Sequence, residues 1–166
     1  MAHDRILLDR LEAIPVVSWT GNVFRYTAGD RSPGKENIDG ARWSPRDVPT
    51  VYAGLSRDGA IAEFRHHLML LSPRPTRIDF TLYEMRVSLR EIIDLRPLGG
   101  ALGLTEDALT DNDFSFCQAI GHAAWWLGRG GLIVPSARLA GATNLVIFTD
   151  KQPAEWFEIA DQGPLR

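Results

Sequence analysis

The 166-residue sequence predicts a single α/β domain of the α+β kind, in which helices pack against a sheet. Apolar residues recur at helical spacing in three segments, 6–14, 56–71 and 113–127. Branched and aromatic residues cluster or alternate, as they do in strands, in 23–27, 48–54, 77–89, 132–135, 144–148 and 155–159. No internal repeat, low-complexity tract or linker indicates a second domain, so the predicted domain covers residues 1–166.

The first helix should end before Pro15, which cannot continue a helix. The strand at 23–27 would place Phe24 and Arg25 on opposite faces. Residues 28–39 are rich in Gly, Pro, Asn and Asp, a composition typical of a loop. The short strand at 48–54 carries Tyr52 and leads directly into the second helix.

Ser56 can cap that second helix, which should run to about residue 71, before Pro73. In the strand at 77–89, Ile78 and the next apolar residues alternate in one phase, and those from Met85 onward alternate in the other. The phase change near Tyr83 predicts a bulge or a change of buried face.

In the last third, a short apolar patch at 92–95 precedes a Gly-Gly turn, and Thr105 marks a helix start. The helix at 113–127 should bury Cys117 and end at the glycines of 128–131. Strand 132–135 is followed by a loop of small residues, 136–143. The apolar strand 144–148 suits the middle of a sheet.

Composition excludes several classes of function. The chain is 45% hydrophobic and 23% charged, with a net charge of −3 and a pI near 5.8, which gives no support for nucleic-acid or anionic-membrane binding. A local basic cleft remains compatible with so mild a net charge. No apolar run approaches the roughly 20 residues that span a bilayer, and no signal peptide is recognisable, so the cytoplasm is expected. The single cysteine and four histidines show no spacing typical of a metal site.

The residues most suited to chemistry lie between Arg42 and His67. Glu63 falls on the margin of the apolar face of its helix, where a carboxylate can point into a cleft. A solvated helix residue is the commoner alternative. Arg42 abuts Trp43 in a predicted loop, a place where a planar cation can hold an anion, although a plain surface arginine is equally compatible with the spacing.

Three further positions have the same two interpretations. Arg25 abuts Tyr26 and could be a ligand-binding or a surface arginine. Tyr52 is more often a half-buried strand residue than a catalytic one. Ser136 ends a strand and opens a loop, where sheet-based ligand sites form, or is a turn residue. No Walker loop, dinucleotide fingerprint, nucleophile elbow or HExxH motif is present.

Taken together, the motifs resemble those of the RES-domain family, whose name records an arginine, a glutamate and a serine. They extend over about residues 23–148 in the family's order. The matching segments are Phe24-Arg-Tyr26, Gly40-Ala-Arg-Trp43, Val51-Tyr-Ala-Gly54, Ala60-Ile-Ala-Glu63, Gly131-Leu-Ile-Val-Pro-Ser136 and Asn144-Leu-Val-Ile-Phe148. The chain has Ala-Arg-Trp-Ser where Gly-Arg-Trp-Asn is commoner, which leaves the arginine and tryptophan in place.

The resemblance implies a central mixed β-sheet flanked by helices, similar to that of ADP-ribosyltransferases. It also implies a bacterial toxin of the RES-Xre type that degrades NAD by phosphorolysis or hydrolysis. The partner would be a small helix-turn-helix (Xre-type) antitoxin, with no metal and no membrane involved.

The resemblance further assigns roles to individual residues. Glu63, Arg42 and Tyr52 would be catalytic, with Glu63 opposing the charge that develops on the ribose. The residues expected to contact NAD are Arg25, Tyr26, Arg42, Trp43, Tyr52, Ser136 and Asn144. Two other functions stay open: a protein ADP-ribosyltransferase that uses NAD, and a silent module that binds a nucleotide or a partner. Phosphate, water and a protein side chain would all attack the same carbon.

Overall fold

Four α-helices and six strands make up the part of the chain that the computed structural model describes, residues 2–73, 76–77 and 79–165. The helices are α1 (Arg5–Glu12), α2 (Arg57–Leu70), α3 (Glu106–Thr110) and α4 (Ser115–Trp126). The strands are β1 (Val17–Ala28), β2 (Thr50–Gly54), β3 (Phe80–Asp94), β4 (Gly131–Pro135), β5 (Thr143–Phe148) and β6 (Phe157–Pro164). No helix in these ranges is long and apolar enough to cross a membrane.

The strands form one mixed sheet that closes on itself like a barrel. They pair in the order β1-β2-β5-β4-β3, and β3 pairs back onto β1. Closure depends on the length of β3: residues from Phe80 to Ile92 pair with β1, and residues 92–94 pair with β4. The β3–β4 pair is parallel and the others are antiparallel, while β6 lies outside the ring along β3. The predicted mixed α/β domain is confirmed. The closure of its sheet into a barrel-like ring was not predicted.

Apolar residues pack on both faces of this sheet. Neighbouring residues of β5 show the division, because Ile147 belongs to an inner core and Val146 to a helix core under α1, α3 and α4. The inner core includes Val23, Val51, Met85, Leu89, Ile133 and Ile147. The helix core includes Leu11, Trp43, Cys117, Ile120, Val146 and Phe148. A third cluster lies under α2 and includes Ala60, Phe64 and Leu82.

Most predicted elements are confirmed. Ser56 caps α2, since its Oγ accepts from the backbone N–H of Gly59 at 3.0 Å. Cys117 is buried. The phase change in β3 is also confirmed: Leu82 packs under α2, Met85 packs in the inner core, and the pairing with β6 shifts between Glu84 and Met85. Ile78, used in that prediction, lies outside the described residues.

Several predicted boundaries were wrong because long-range pairing extends or shifts the strands. β1 begins at residue 17 rather than 23, since it pairs with β3 as far as Ile92. For the same reason the apolar patch at 92–95 is not separate but continues β3 to Asp94. β6 covers 157–164 rather than 155–159, because it pairs with β3 from Val87 to Thr81. β2 starts at residue 50 rather than 48.

Candidate active site

The site lies where β2 and β4 end and β5 begins. Leu55, the first residue after β2, donates its backbone N–H to the Thr143 carbonyl at 3.0 Å, and α2 begins two residues later. Gly59 in the first turn of α2 lies beside the loop 136–142, since a Cβ built there would be at van der Waals distance, 3.5 Å, from the Cβ of Ala142. The second turn of α2, with Glu63, therefore lies beside the start of β5 and the loop 136–142.

Glu63 is held by two polar side chains from the sheet. Its Oε1 accepts a hydrogen bond from Asn144 Nδ2 at 3.0 Å and a longer one from Ser136 Oγ at 3.4 Å. Within the described ranges, its Oε2 accepts no hydrogen bond. Three residues predicted from separate motifs thus come together, and one carboxylate oxygen stays open to a ligand.

Tyr26 is the next group around Glu63. Its ring packs edge-on against Phe64, with the centroids 5.2 Å apart, and lies 6.3 Å from the His67 ring. Burial, and then the negative charge of Glu63, raise the pKa of the Tyr26 hydroxyl to about 12. The hydroxyl is therefore protonated at neutral pH and can donate a hydrogen bond in this cleft.

Arg25 lies at the edge of the same region and is engaged by the backbone. Its guanidinium donates to the Tyr52 carbonyl at 3.0 Å and to the Lys35 carbonyl at 3.1 Å. Burial lowers its pKa to about 10, so it keeps its charge at neutral pH. These contacts fasten the loop before β2 to β1, which favours a positioning role. The prediction that Arg25 contacts NAD stays a prediction.

Tyr52 reaches from β2 to the loop that carries Arg42. The Tyr52 hydroxyl lies 2.7 Å from Ser44 Oγ and accepts the backbone N–H of Trp43 at 3.2 Å. Burial raises the pKa of this hydroxyl, and the bonds to Ser44 and Trp43 oppose that shift in part. The hydroxyl is thus already occupied within the protein, and its evident contribution is to hold the loop at 42–44.

Trp43 lies in the helix core. Its side chain is only 3% exposed and packs against the other apolar residues there. Arg42 and Trp43 are the central residues of a turn that Ala41 and Ser44 close with two backbone hydrogen bonds, and in this turn the Trp43 side chain is buried while Arg42 remains half-exposed. Burial favours a packing role for Trp43, and its expected contact with NAD stays a prediction.

Replacing Tyr52 with phenylalanine should destabilise the protein by about 1–3 kcal/mol, because a buried serine hydroxyl and a backbone N–H would lose their partner. Tyr83→Phe is a matched control: Tyr83 is also buried, but its hydroxyl has no hydrogen-bond partner within the described ranges. Urea unfolding of both variants measures the difference. Equal stability of the two variants would show that the Tyr52 hydroxyl does not hold the loop.

Arg42 lies on the other side of the cleft. Its Nη1 donates to the Asp111 carbonyl at 2.8 Å, and its guanidinium carbon lies 4.4 Å from the centre of the Phe114 ring. Its Nη2 is buried without a hydrogen-bond partner among the described residues. Burial and then the charge of Arg138 lower its pKa, while Cys117 and Glu63 raise it. Nη2 is thus a buried donor whose hydrogen bond is not satisfied within the described ranges.

Two neighbours of this site were not predicted from the sequence. The charge of Arg138 acts on both Arg42 and His66, and His66 lies one helical turn after Glu63. Burial and then Arg138 lower the pKa of His66, which is therefore neutral at pH 7. Only their spacing from predicted site residues could have indicated these two neighbours in the sequence: Arg138 follows Ser136 by two residues, and His66 follows Glu63 by three.

The site contains oxygen, amide and guanidinium groups but no evident metal ligands. Across the described ranges, no group of three or more His, Cys, Asp or Glu side chains is arranged to hold a metal ion. A sequence profile of the RES domain family matches residues 13–166. The chain belongs to the RES domain family. The resemblance inferred from the motifs is thereby confirmed.

The chain is also similar to curated mycobacterial proteins named NAD(+) phosphorylase MbcT. The NAD(+) phosphorylase MbcT of Mycobacterium bovis is 29% identical over 161 aligned positions, covering 91% of this chain and 84% of the relative. The NAD(+) phosphorylase MbcT of Mycobacterium tuberculosis strain H37Rv gives the same values. A chain in the crystal structure of the M. tuberculosis MbcT-MbcA toxin-antitoxin complex superposes with a TM-score of 0.86 at 27% identity, covering 99% of this chain and 94% of that one.

Proposed function

We propose that this RES-domain chain is an NAD-degrading toxin that cleaves the bond between nicotinamide and ribose, with phosphate as the acceptor. The observation that carries the proposal is the Glu63 carboxylate, fixed through Oε1 by Asn144 and Ser136 and open at Oε2. Membership of the RES domain family and the similarity to enzymes named NAD(+) phosphorylase support it.

The proposed reaction needs little acid-base assistance from the protein. The nicotinamide of NAD is already a pyridinium cation, so the bond can break through an oxocarbenium-like state, with the bonding pair going to the ring nitrogen. An unprotonated oxygen of hydrogen phosphate then bonds to the ribose C1′. The proton of hydrogen phosphate stays on another of its oxygens. The products are neutral nicotinamide and ADP-ribose 1′-phosphate, and neither a metal nor a redox cofactor takes part.

The side chains of the site suit this chemistry. Glu63 would bind a ribose hydroxyl through Oε2 and oppose the positive charge at C1′. Arg42 would donate its free Nη2 to a phosphate group. Tyr26 would line the pocket as a neutral hydrogen-bond donor, and Tyr52 and Arg25 would hold the surrounding loop. We also propose that this fold is similar to that of ADP-ribosyltransferases, whose reactions take place at the same carbon of NAD.

Incubation of the purified chain with NAD, with and without inorganic phosphate, should release nicotinamide much faster when phosphate is present. Liquid chromatography with mass spectrometry identifies the second product. Formation of ADP-ribose 1′-phosphate would support phosphorolysis. Formation of free ADP-ribose at the same rate in both buffers would show that water, not phosphate, is the acceptor. Transfer of ADP-ribose to a protein would favour the transferase alternative. Intact NAD under every condition would contradict the proposed function.

We propose further that a small helix-turn-helix antitoxin of the Xre type restrains this enzyme in the bacterial cytoplasm. The similar chain of known structure comes from a toxin-antitoxin complex, and free NAD would otherwise be consumed whenever the enzyme is folded. Expression of the chain alone should deplete cellular NAD and stop growth, while co-expression of the small protein encoded beside it should restore growth and yield a stable complex. Normal growth and normal NAD during expression of the folded chain alone would contradict the toxin proposal.

A further inference from the structure

We infer that Arg138 joins Arg42 to form a two-guanidinium binding site for a phosphate group beside Glu63. The inference rests on the proposed function and deepens it, because it assigns the anion-binding groups of that site. Arg138 lies outside the motifs by which the chain was related to the RES domain family. Two separate loops would each contribute one guanidinium: the loop before β2 carries Arg42, and the loop 136–142 carries Arg138.

The backbone places Arg138 at the site. Ser136 Oγ accepts hydrogen bonds from the backbone N–H groups of Arg138 and Leu139, both at 3.1 Å, and the same oxygen contacts Glu63 Oε1 at 3.4 Å. The loop is closed at its base, where the Ser136 N–H donates to the Ala142 carbonyl at 2.9 Å. Arg138 is therefore connected to the carboxylate through a single side chain, in a loop with its own hydrogen bonds.

The Arg138 side chain is half-buried and still uncommitted. It forms no side-chain hydrogen bond and no ion pair within residues 2–73, 76–77 and 79–165. Arg96 shows the contrast, because its guanidinium bonds to the Asp94 carboxylate at 2.7 Å. The backbone position of Arg138 beside Ser136 puts its side chain near the cleft, and its charge is among the causes that lower the pKa values of Arg42 and His66.

The local charge balance calls for an anion. Arg42 and Arg138 carry two positive charges, and Glu63 supplies one negative charge among these groups. The pKa of His66 is lowered and the pKa values of Tyr26 and Cys117 are raised, so all three side chains are predominantly uncharged near pH 7. Two guanidinium groups that act on each other across a cleft repel, and a phosphate group between them would relieve that repulsion. Guanidinium groups also match phosphate oxygens in geometry.

Phosphate could come from two sources in the proposed reaction. One is inorganic phosphate, the attacking acceptor, and the other is the pyrophosphate of NAD. Inorganic phosphate and pyrophosphate both present phosphate oxygens to the two arginines. The two sources are distinguished by which kinetic constant changes when Arg138 is replaced. An acceptor site would control the KM for phosphate, and a pyrophosphate site would control the KM for NAD.

The first test is binding of inorganic phosphate without NAD. Thermal unfolding of the wild-type chain is compared in phosphate and in chloride at equal ionic strength, together with Arg138→Gln, Arg138→Lys and Arg65→Gln. Arg65 is an exposed arginine two residues after Glu63, and at about 100° per residue it points to the opposite side of α2. Phosphate should stabilise the wild type and Arg65→Gln, stabilise Arg138→Lys less, and have little effect on Arg138→Gln.

The second test is steady-state kinetics of NAD cleavage with the same variants. We expect Arg138→Gln to raise the KM for inorganic phosphate, or alternatively the KM for NAD, by about tenfold or more, as loss of a charged hydrogen bond predicts. A rise in the first constant identifies the acceptor site and a rise in the second the pyrophosphate site. Unchanged constants together with an unchanged phosphate effect on unfolding would overturn the inference and leave the proposed function standing. If the wild type cleaves no NAD, the unfolding comparison alone decides.

Discussion

Glu63→Gln should lower kcat for NAD cleavage by about 10²–10³-fold, the usual consequence of removing one electrostatic stabiliser from a transition state. Glutamine retains an oxygen that can accept from Asn144, but it lacks the negative charge that opposes the oxocarbenium-like state. The free energy of unfolding should therefore change by less than about 1 kcal/mol. Nicotinamide release by the purified variant gives the rate, and urea unfolding gives the stability.

Glu84→Gln is the matched control for this change. Glu84 is also half-exposed and accepts a hydrogen bond from an asparagine side chain, Asn22 Nδ2, at 2.8 Å, but it lies on β3 outside the contacts of Glu63. The control should keep wild-type turnover. If a folded Glu63→Gln protein also cleaves NAD at the wild-type rate, the carboxylate has no part in the mechanism.

Gly121→Ala should destabilise the protein by more than about 3 kcal/mol and abolish activity with it. An added Cβ at Gly121 would collide with the backbone oxygen of Trp43, a contact that rigid backbone on both sides cannot relieve by a small shift. Either α4 or the loop carrying Arg42 must move. The expected change in the free energy of unfolding has the opposite sign to that of most Gly→Ala substitutions in helix interiors, where alanine is normally favoured over glycine by about 1 kcal/mol.

Gly100→Ala provides the comparison for this second change, because no atom lies within 4 Å of the Cβ that it would add. Chemical unfolding and NAD cleavage should be measured for both variants. The Gly100 variant should match the wild type in both. A Gly121 variant of wild-type stability would mean that α4 does not pack directly on the Trp43 backbone, and the account of how Arg42 is positioned would need revision.

Local signals in the sequence predicted the elements that carry Glu63, Ser136 and Asn144. The Ser56 cap and the apolar spacing define α2, and Glu63 on its margin is the position that contacts the sheet. The apolar run of β5 indicates a central strand, which pairs on both sides with β2 and β4. Such signals lie within a few residues of each other, so a single sequence is enough to recognise them.

Features that depend on contacts distant in sequence could not be predicted in the same way. The closure of the sheet requires β3 to pair with β1, β4 and β6, and nothing in its alternating pattern specifies the partners. The burial of Trp43 depends on the helix core, to which α4 contributes more than 70 residues later. The role proposed for Arg138 was not predictable in this way, because it rests on a guanidinium that forms no hydrogen bond or ion pair among the described residues, which only a three-dimensional structure reveals.

The most direct test of the account is a crystal structure of the Glu63→Gln variant with NAD and inorganic phosphate bound, since slow turnover should preserve the substrate. We expect the nicotinamide ribose to lie against residue 63, with a phosphate group contacting Arg42 and Arg138. NAD bound in another part of the molecule, with the cleft between α2 and the loop 136–142 empty, would contradict it.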